Sequence, residues 1–188
     1  LQEARQSEEV KSETAARSRY EQELHILKEA FDSSKEISRR EVATWMAYLG
    51  HMHSRGGARP LFQRCLARCY QVEELWLYWA EYELLPPQKL DVLYQARSFL
   101  PKSTGIGFML AELEEEQGNF VQAHTILTNL AAVKPSTAGH KRLQLEQRKG
   151  SSVGVLKTVF QEVCTKISEV KEASEIAIKF SDIMIVKS

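Results

Sequence analysis

Apolar residues recur along most of the chain at intervals of three and four, which is the spacing of one face of an α-helix. The strongest example is an aromatic series at Trp76, Trp79 and Tyr82, which predicts a helix over about 72–85. We expect Pro86-Pro87 to end this helix, because proline removes a backbone donor and clashes inside a helix. The pattern therefore predicts an all-α protein.

The same spacing returns on both sides of this helix, interrupted by glycine, proline or polar residues. Further helices are predicted over about 39–54, from residue 58, over about 88–99, from residue 104, from residue 120, and in a later pair around residues 143–163. Ser38 and Glu41 have the spacing of a capping box at the start of the first of these. Gly56-Gly57 is expected to close that helix in a left-handed conformation.

The first 31 residues are the most polar part of the chain and predict one long helix. This helix resembles the second helix of a repeat whose first helix is missing from the chain. Its apolar side is formed by Tyr20, Leu24, Leu27 and Phe31. A polar break follows at residues 32–36. We therefore predict an incomplete repeat with its linker over residues 1–38, and an array of about four helix pairs with a terminal single helix over residues 39–188.

Two segments repeat each other at an interval of 32 residues, Leu113–Gly118 and Leu145–Gly150. Glu83, Glu114 and Glu146 then occupy one position of a repeat. An interval of this size with two helices per unit predicts an α-α superhelix, or solenoid, of antiparallel helix pairs. The residues expected in the repeat core are Trp45, Tyr48, Phe62, Trp76, Trp79, Tyr82, Glu83, Tyr94, Leu113, Glu114, Leu127, Leu145, Glu146 and Phe160.

Composition excludes several classes of function. The 25 basic and 25 acidic side chains balance, which disfavours strong direct binding to a nucleic-acid backbone. Three cysteines without a C-x-x-C pair indicate neither a disulfide framework nor a zinc site, and His51 and His53 point away from each other on a helix. The sequence has no run of eighteen apolar residues, so no membrane span is predicted. We predict no catalytic residue, no cofactor and no metal.

Repeats of 31 to 33 residues are compatible with ankyrin and tetratricopeptide units, but the T-P-L-H signature of ankyrin is missing. The chain resembles instead the half-a-tetratricopeptide (HAT) repeat, whose two helices follow the patterns W-x-x-Y-A-x-F-E and A-R-x-x-F-E-R-A. The matching residues are Trp76, Trp79, Ala80, Tyr82 and Glu83 for the first helix, and Ala58, Arg59, Phe62, Arg64 and Leu66 for the second. Gly107 and Gly139 replace the first tryptophan and Met52 replaces the glutamate, which is expected to weaken individual units but not the array.

Residues 40–188 also resemble the C-terminal part of the pre-mRNA-processing factor 39 family. The resemblance rests on many short matches, among them Trp45-x-x-Tyr48-Leu49, Phe62-x-Arg64-Cys65, Glu114-Glu115-x-Gln117-Gly118-Asn119, Ala123-x-x-Ile126-Leu127 and Ala177-Ile178-Lys179. It implies a nuclear, non-catalytic splicing scaffold that is associated with the small nuclear ribonucleoprotein (snRNP) recognising the five-prime splice site. The implied partners are snRNP proteins, with RNA contact indirect or weak. Two alternatives remain open: a HAT scaffold of another RNA-processing complex, for pre-mRNA 3′-end cleavage or ribosome biogenesis, or a directly RNA-binding module.

The last predicted helix, over about 172–187, is apolar on more than one face. No further helix follows in the chain to cover its outer side, where the end of an array is normally polar. We predict that it docks onto a second copy of the chain or onto a related HAT protein, which would also agree with the pairing implied by the family resemblance. The predicted interface consists of Ile176, Phe180, Ile183 and Met184. In the alternative interpretation, the helix only completes the core.

Two groups of side chains could instead contact RNA. Trp45, Trp76 and Trp79 could stack on unpaired bases, but their repeat positions favour the core, where each indole N–H is expected to find a partner. Lys141-Arg142 and Arg148-Lys149 form the best local basic patch for RNA or an acidic partner. A solvated helix face is the simpler interpretation of that patch.

Overall fold

The computed structural model describes residues 2–31, 37–53, 57–167 and 170–187, with the side chains of residues 5–29, 37–53, 57–167 and 173–185. All regular structure in these ranges is α-helical, which confirms the all-α prediction. In chain order the helices are α1 (Gln2–Phe31), α2 (Arg39–His53), α3 (Ala58–Cys69), α4 (Glu73–Tyr82), α5 (Pro86–Phe99), α6 (Thr104–Glu116), α7 (Phe120–Leu130), α8 (Pro135–Arg148), α9 (Val153–Lys166) and α10 (Val170–Lys187). Within the described ranges, none of them is both long and apolar enough to cross a membrane.

The chain divides into two compact units, Leu1–Tyr82 and Glu83–Ser188. The sequence predicted a division after residue 38 instead. The difference arises because α1 packs on α2 inside the first unit, so the long helix shares a core with the helices that follow it. The predicted break at residues 32–36 and the side chain of Phe31 lie outside the described residues.

In the first unit each helix packs on the next, from α1 to α4. The apolar positions predicted by the helical spacing form the core, because each helix buries the side that carries them. Core residues from the four helices include Leu24, Leu27, Leu49, Leu61, Phe62, Cys65, Leu66 and Leu75. Among them, Leu49, Phe62, Cys65 and Leu75 are fully buried.

In the second unit the helices from α5 to α9 also pack in order, and α10 packs on both α8 and α9. The end of this unit has one apolar cluster to which three helices contribute. Its buried members are Leu143, Leu156, Val159, Val163, Ile176 and Ile183. The last helix therefore has a well-defined inner face.

Two turns of the second unit are built in the same way, and they explain the repeated segment of the sequence. Gly118 and Gly150 have φ angles of 78° and 81°, a left-handed conformation that glycine adopts without strain. Each turn closes the preceding helix with a backbone bond from the next residue to the buried glutamate: Asn119 N–H to the Glu114 carbonyl (2.8 Å) and Ser151 N–H to the Glu146 carbonyl (3.0 Å). Both are the six-to-one bond of a Schellman motif.

Gly107 and Gly139, which depart from the HAT pattern, allow close helix packing in the second unit. A Cβ at Gly107 would lie 2.7 Å from Leu130 Cδ2, and one at Gly139 would lie 2.3 Å from Val163 Cγ1. The second helix of each pair thus fills the space that a tryptophan side chain would occupy. The expectation that these glycines weaken their units is therefore not supported by the packing.

Two helix ends differ from the sequence prediction. Helix α4 ends at Tyr82, before the two prolines, and Pro86 and Pro87 lie in the first turn of α5. Proline is favoured there because the missing N–H would have no partner in the first turn. Gly57 has a φ of −110° and so does not adopt the predicted left-handed conformation, while Gly56 lies outside the described residues.

Candidate functional site

Buried glutamates connect neighbouring helices in the second unit. Glu114 at the end of α6 is 3% exposed, and its carboxylate accepts hydrogen bonds from the Tyr94 hydroxyl of α5 and from Asn119 Nδ2 (2.7 Å) after the turn. Burial of the phenol, together with the hydrogen bond to Glu114, raises the pKa of Tyr94 to about 12. One carboxylate thus joins the preceding helix, its own helix and the following turn.

Glu146 has the same arrangement in the next repeat of the second unit. It is 4% exposed at the end of α8, and it accepts from His124 Nδ1 of α7 (3.2 Å) and from the Ser151 hydroxyl after the turn. The other ring nitrogen of His124 lies 3.4 Å from Arg142 Nη2, which donates to Glu162 at 3.0 Å. Because an arginine can only donate, a bond to Arg142 requires His124 Nε2 to accept, which places a ring proton on Nδ1, the nitrogen that faces Glu146.

A further buried glutamate, Glu41 of α2, was not among the predicted core residues. It is 2% exposed and pairs through both oxygens with Arg68 of α3, at 2.7 Å from Nε and 3.4 Å from Nη2. Its backbone N–H donates to the Ser38 hydroxyl at 3.0 Å, so one half of the predicted capping box is present. The carboxylate, however, points to the next helix. The capping spacing was the only sequence signal at this position.

The aromatic residues of the first unit form packed pairs inside it. Phe62 stacks on Trp79 with 5.8 Å between ring centroids, and Trp79 stacks on Trp76 at 6.1 Å. Trp76 donates its indole N–H to the Tyr70 carbonyl at 2.9 Å. Tyr82 is half-buried, with its ring edge-on to His53 at 4.9 Å. These rings are used for packing and offer no stacked surface for bases.

Trp45 differs from the other tryptophans in its polar contacts. It is 5% exposed, and the Arg64 guanidinium lies 5.3 Å from its ring centroid, in a cation–π geometry. Its indole N–H is buried and has no acceptor among the residues that the structure describes. The expectation that each indole would find a partner is therefore wrong for Trp45.

Most of the predicted core residues are buried where the repeat places them. The buried ones are Trp45, Tyr48, Phe62, Trp76, Trp79, Glu83, Leu113, Glu114, Leu127, Leu145 and Glu146. Three residues are exceptions: Tyr82 and Phe160 are half-buried, and Tyr94 is 44% exposed, with its hydroxyl bonded to Glu114. Phe160 stacks on Phe180 of α10 at 4.3 Å.

The predicted basic patch on α8 is largely neutralised. Arg142 is only 3% exposed and pairs with Glu162, so it does not belong to a surface patch. Lys141 pairs with Glu112 of α6, and Arg148 pairs with Glu115 of α6 at 2.7 Å. Carboxylates of the same unit thus occupy the cations that an RNA backbone would need.

The cysteines and histidines do not form a metal site within the described part of the chain, where no cluster of metal-binding side chains is found. Cys65 and Cys69 are both fully buried on α3. The hydrogen bond with Cys69 and burial raise the pKa of the Cys65 thiol, which keeps it protonated and unreactive. His53 packs against Tyr78 at 6.1 Å between ring centroids.

The four residues predicted to form a dimer interface on α10 divide into two groups. Ile176 and Ile183 are 0% and 6% exposed and belong to the inner cluster with α8 and α9, so they are not surface residues. Phe180 and Met184 are half-buried. Among the described side chains of this helix, the large apolar residues that remain exposed are Ile178 (64%) and Ile185 (71%), which the prediction did not include.

Comparison with known proteins identifies similar sequences. A family model described as the PRP39 C-terminal HAT repeat matches residues 15–148. The protein named Pre-mRNA-processing factor 39 of Schizosaccharomyces pombe is 28% identical over 137 residues, which cover 68% of this chain and 22% of the relative. The protein of the same name from Xenopus laevis is 27% identical over 163 residues, which cover 82% of this chain and 25% of the relative. The protein of the same name from Homo sapiens is 25% identical over 135 residues, which cover 66% of this chain and 20% of the relative. The chain spans a quarter or less of the length of these relatives.

Proposed function

Because the chain belongs to the PRP39 C-terminal HAT repeat family, we propose that it is a non-catalytic scaffold of pre-mRNA splicing that works in the nucleus. In this role it contacts proteins of the snRNP that recognises the five-prime splice site. The observation that carries the proposal is the family match over residues 15–148, supported by relatives that are named pre-mRNA-processing factors.

The buried polar groups of the second unit bond neighbouring helices to each other, which supports a scaffold function. Glu114 and Glu146 are 3% and 4% exposed, and both are engaged by the preceding helix and the following turn. His124 likewise bridges Glu146 and Arg142. Groups of these types can perform acid–base chemistry elsewhere, but here they hold helices at fixed distances. Rigid spacing of helices is what a protein-binding repeat requires.

Pairing with a second copy or with a related HAT protein is the second part of the proposal. Ile178 and Ile185 are seven residues apart on α10, which is two helical turns, so they share one outer face beside half-buried Met184. Full burial of an isoleucine side chain stabilises an interface by about 1.5–3 kcal/mol, so burial of this face would contribute substantially to the free energy of two-fold pairing. The proposed interface is thus the outer face of α10, without Ile176 and Ile183.

Light scattering coupled to size-exclusion chromatography tests the pairing. We expect the double variant Ile178→Glu, Ile185→Glu to run as a monomer where the unmodified chain runs as a dimer. Ile26→Glu is the matched control, because Ile26 is also 64% exposed but lies on α1. An unmodified chain that is monomeric, or a double variant that stays dimeric, would contradict the proposed pairing.

Affinity purification from nuclear extract, followed by identification of the recovered proteins and RNA, tests the splicing role. We expect proteins of the splicing snRNP, with RNA recovered through them. Recovery of cleavage factors or ribosome-assembly factors without snRNP proteins would overturn the proposal. Tight binding to protein-free RNA with a steep salt dependence would instead indicate a directly RNA-binding module.

A further inference from the structure

A groove of about 500 Å³ lies between α1 and α3 in the first unit, and its most buried lining residues come from α2. We call it the α1–α3 groove. Its apolar lining includes Leu24 of α1, Trp45 of α2 and Ala67 of α3. A space of this volume accommodates a few side chains of a partner rather than a whole helix.

The carboxylates of the groove already have partners. Glu21 Oε1 accepts from the Tyr48 hydroxyl (3.1 Å) and from Arg64 Nη1 (2.9 Å), while its Oε2 accepts from Arg64 Nη2 (2.6 Å). The bond from Arg64 lowers the pKa of Glu21, so this carboxylate is ionised at neutral pH. Both oxygens of Glu41 are likewise engaged by Arg68. The acceptors of the groove are thus used within the chain.

The groove has more N–H donors than its own carboxylates use. Arg64 uses two of its N–H groups on Glu21, and its side chain is still 52% exposed; a guanidinium has about five N–H donors in total. Lys28 lines the groove from α1, is exposed, and forms no ion pair with any residue that the structure describes. His25 lies beside it, with Nδ1 at 3.5 Å from Glu29. The groove therefore offers positive charge and N–H groups next to an apolar surface.

We propose that the α1–α3 groove binds an acidic segment of a partner protein. A carboxylate of the segment pairs with Lys28 and with the outer N–H groups of Arg64, and a neighbouring apolar side chain covers Leu24. This inference rests on the proposed scaffold function and specifies the chemistry of one partner. The two-point pair with Glu21 holds Arg64 in one orientation, which lowers the entropic cost of binding.

The apolar lining favours an acidic peptide over RNA. A phosphate backbone would meet the positive charge but has no apolar group for Leu24 and Ala67. Trp45 cannot stack on a base, because it is buried and the Arg64 guanidinium lies over its ring. A peptide that alternates acidic and apolar residues matches both features of the groove.

The test is fluorescence anisotropy with the full chain and three labelled probes: a short peptide of alternating glutamate and leucine, its lysine–leucine counterpart, and a short oligo-uridine RNA. We expect the acidic peptide to bind most tightly. Lys28→Glu should weaken its binding about fivefold, because attraction is replaced by repulsion at a partly exposed site. Lys11→Glu is the matched control, since Lys11 is an exposed lysine of α1 outside the groove.

A second variant tests the apolar contact without changing charge. Ala67→Trp fills the groove from α3 and should weaken the acidic peptide about tenfold. Thermal melting of each variant, followed by circular dichroism, checks that the fold is kept. The proposal is overturned by absence of binding, by equal effects of Lys28→Glu and Lys11→Glu, by equal binding of the lysine–leucine peptide, or by tighter binding of the RNA. Such a result, with snRNP proteins still recovered from nuclear extract, would remove the groove assignment and leave the splicing role in place.

Discussion

Replacement of Glu114 by glutamine gives the sharpest test of the role of the buried glutamates. The substitution keeps the shape of the side chain and removes its charge. The new amide has one acceptor oxygen, which Asn119 can still use, while the Tyr94 hydroxyl must turn and accept a bond instead of donating one. The helix contacts are retained, but both hydrogen bonds lose the assistance of a charge.

The magnitude follows from those two bonds. A hydrogen bond to a charged group contributes about 1.5–3 kcal/mol, against about 1 kcal/mol for a neutral one. The glutamine avoids the cost of burying a charge, which offsets part of this difference. We therefore expect Glu114→Gln to lower the free energy of unfolding by about 1–2 kcal/mol. For a chain of this size that corresponds to a fall of about 2–8 °C in Tm.

Urea unfolding followed by circular dichroism measures this free energy. Glu116→Gln is the matched control, because Glu116 makes the same charge change two residues away on the exposed side of α6. It should change stability by no more than about 0.5 kcal/mol. Ultraviolet titration gives a second readout: with Glu114 neutral, the pKa of Tyr94 should fall from about 12 toward its ordinary value of 10.0. Equal stability of the two variants, or an unchanged tyrosine titration, would refute this account of the buried glutamate.

Two further predictions concern the packing of helix glycines and the pH dependence of stability. Gly139→Ala should destabilise the chain by about 1–3 kcal/mol, because its Cβ would lie 2.3 Å from Val163 Cγ1. Gly50→Ala should instead stabilise α2 by up to about 1 kcal/mol, because the nearest atom to its Cβ is 3.7 Å away. Thermal unfolding measures both variants, and a higher Tm for Gly139→Ala than for Gly50→Ala would contradict the prediction. The pKa of Tyr94 is higher in the folded than in the unfolded chain, so its contribution to stability is present below pH 10 and is lost as pH rises toward 12. Urea midpoints measured across that range should fall more steeply for the unmodified chain than for Tyr94→Phe, and parallel curves would contradict this.

Helical spacing was sufficient to predict the elements of the fold, because burial of one apolar face decides where a helix forms. The spacing around Trp76 predicted α4, although the effect of Pro86 was assigned to the end of that helix and not to the start of the next. The interval between Glu114 and Glu146 predicted that both lie at one repeat position, and both are buried. Local periodicity contains this information, since a helix and its turn are formed by residues close in sequence.

Contacts between helices were much harder to predict. Glu41 pairs with Arg68 across 27 positions, and no periodic feature distinguishes either residue from a solvated one. The buried glutamates of the second unit are engaged by different partners, Tyr94 in one repeat and His124 in the next, so the repeat predicts the acceptor but not the donor. Such pairs depend on the distance and rotation of packed helices, which sequence spacing alone does not determine.

The two close-packed glycines limit how the array can be rearranged. Trp76, Gly107 and Gly139 share one repeat position, and the first is a buried indole while the others leave room for Leu130 and Val163. A hybrid unit that joined α4 to α7, by recombination or by design, would bring the indole into the space of Leu130. The helices of different repeats therefore cannot replace one another. We therefore expect a duplication or deletion to preserve these contacts only when both helices of a pair are copied or lost together.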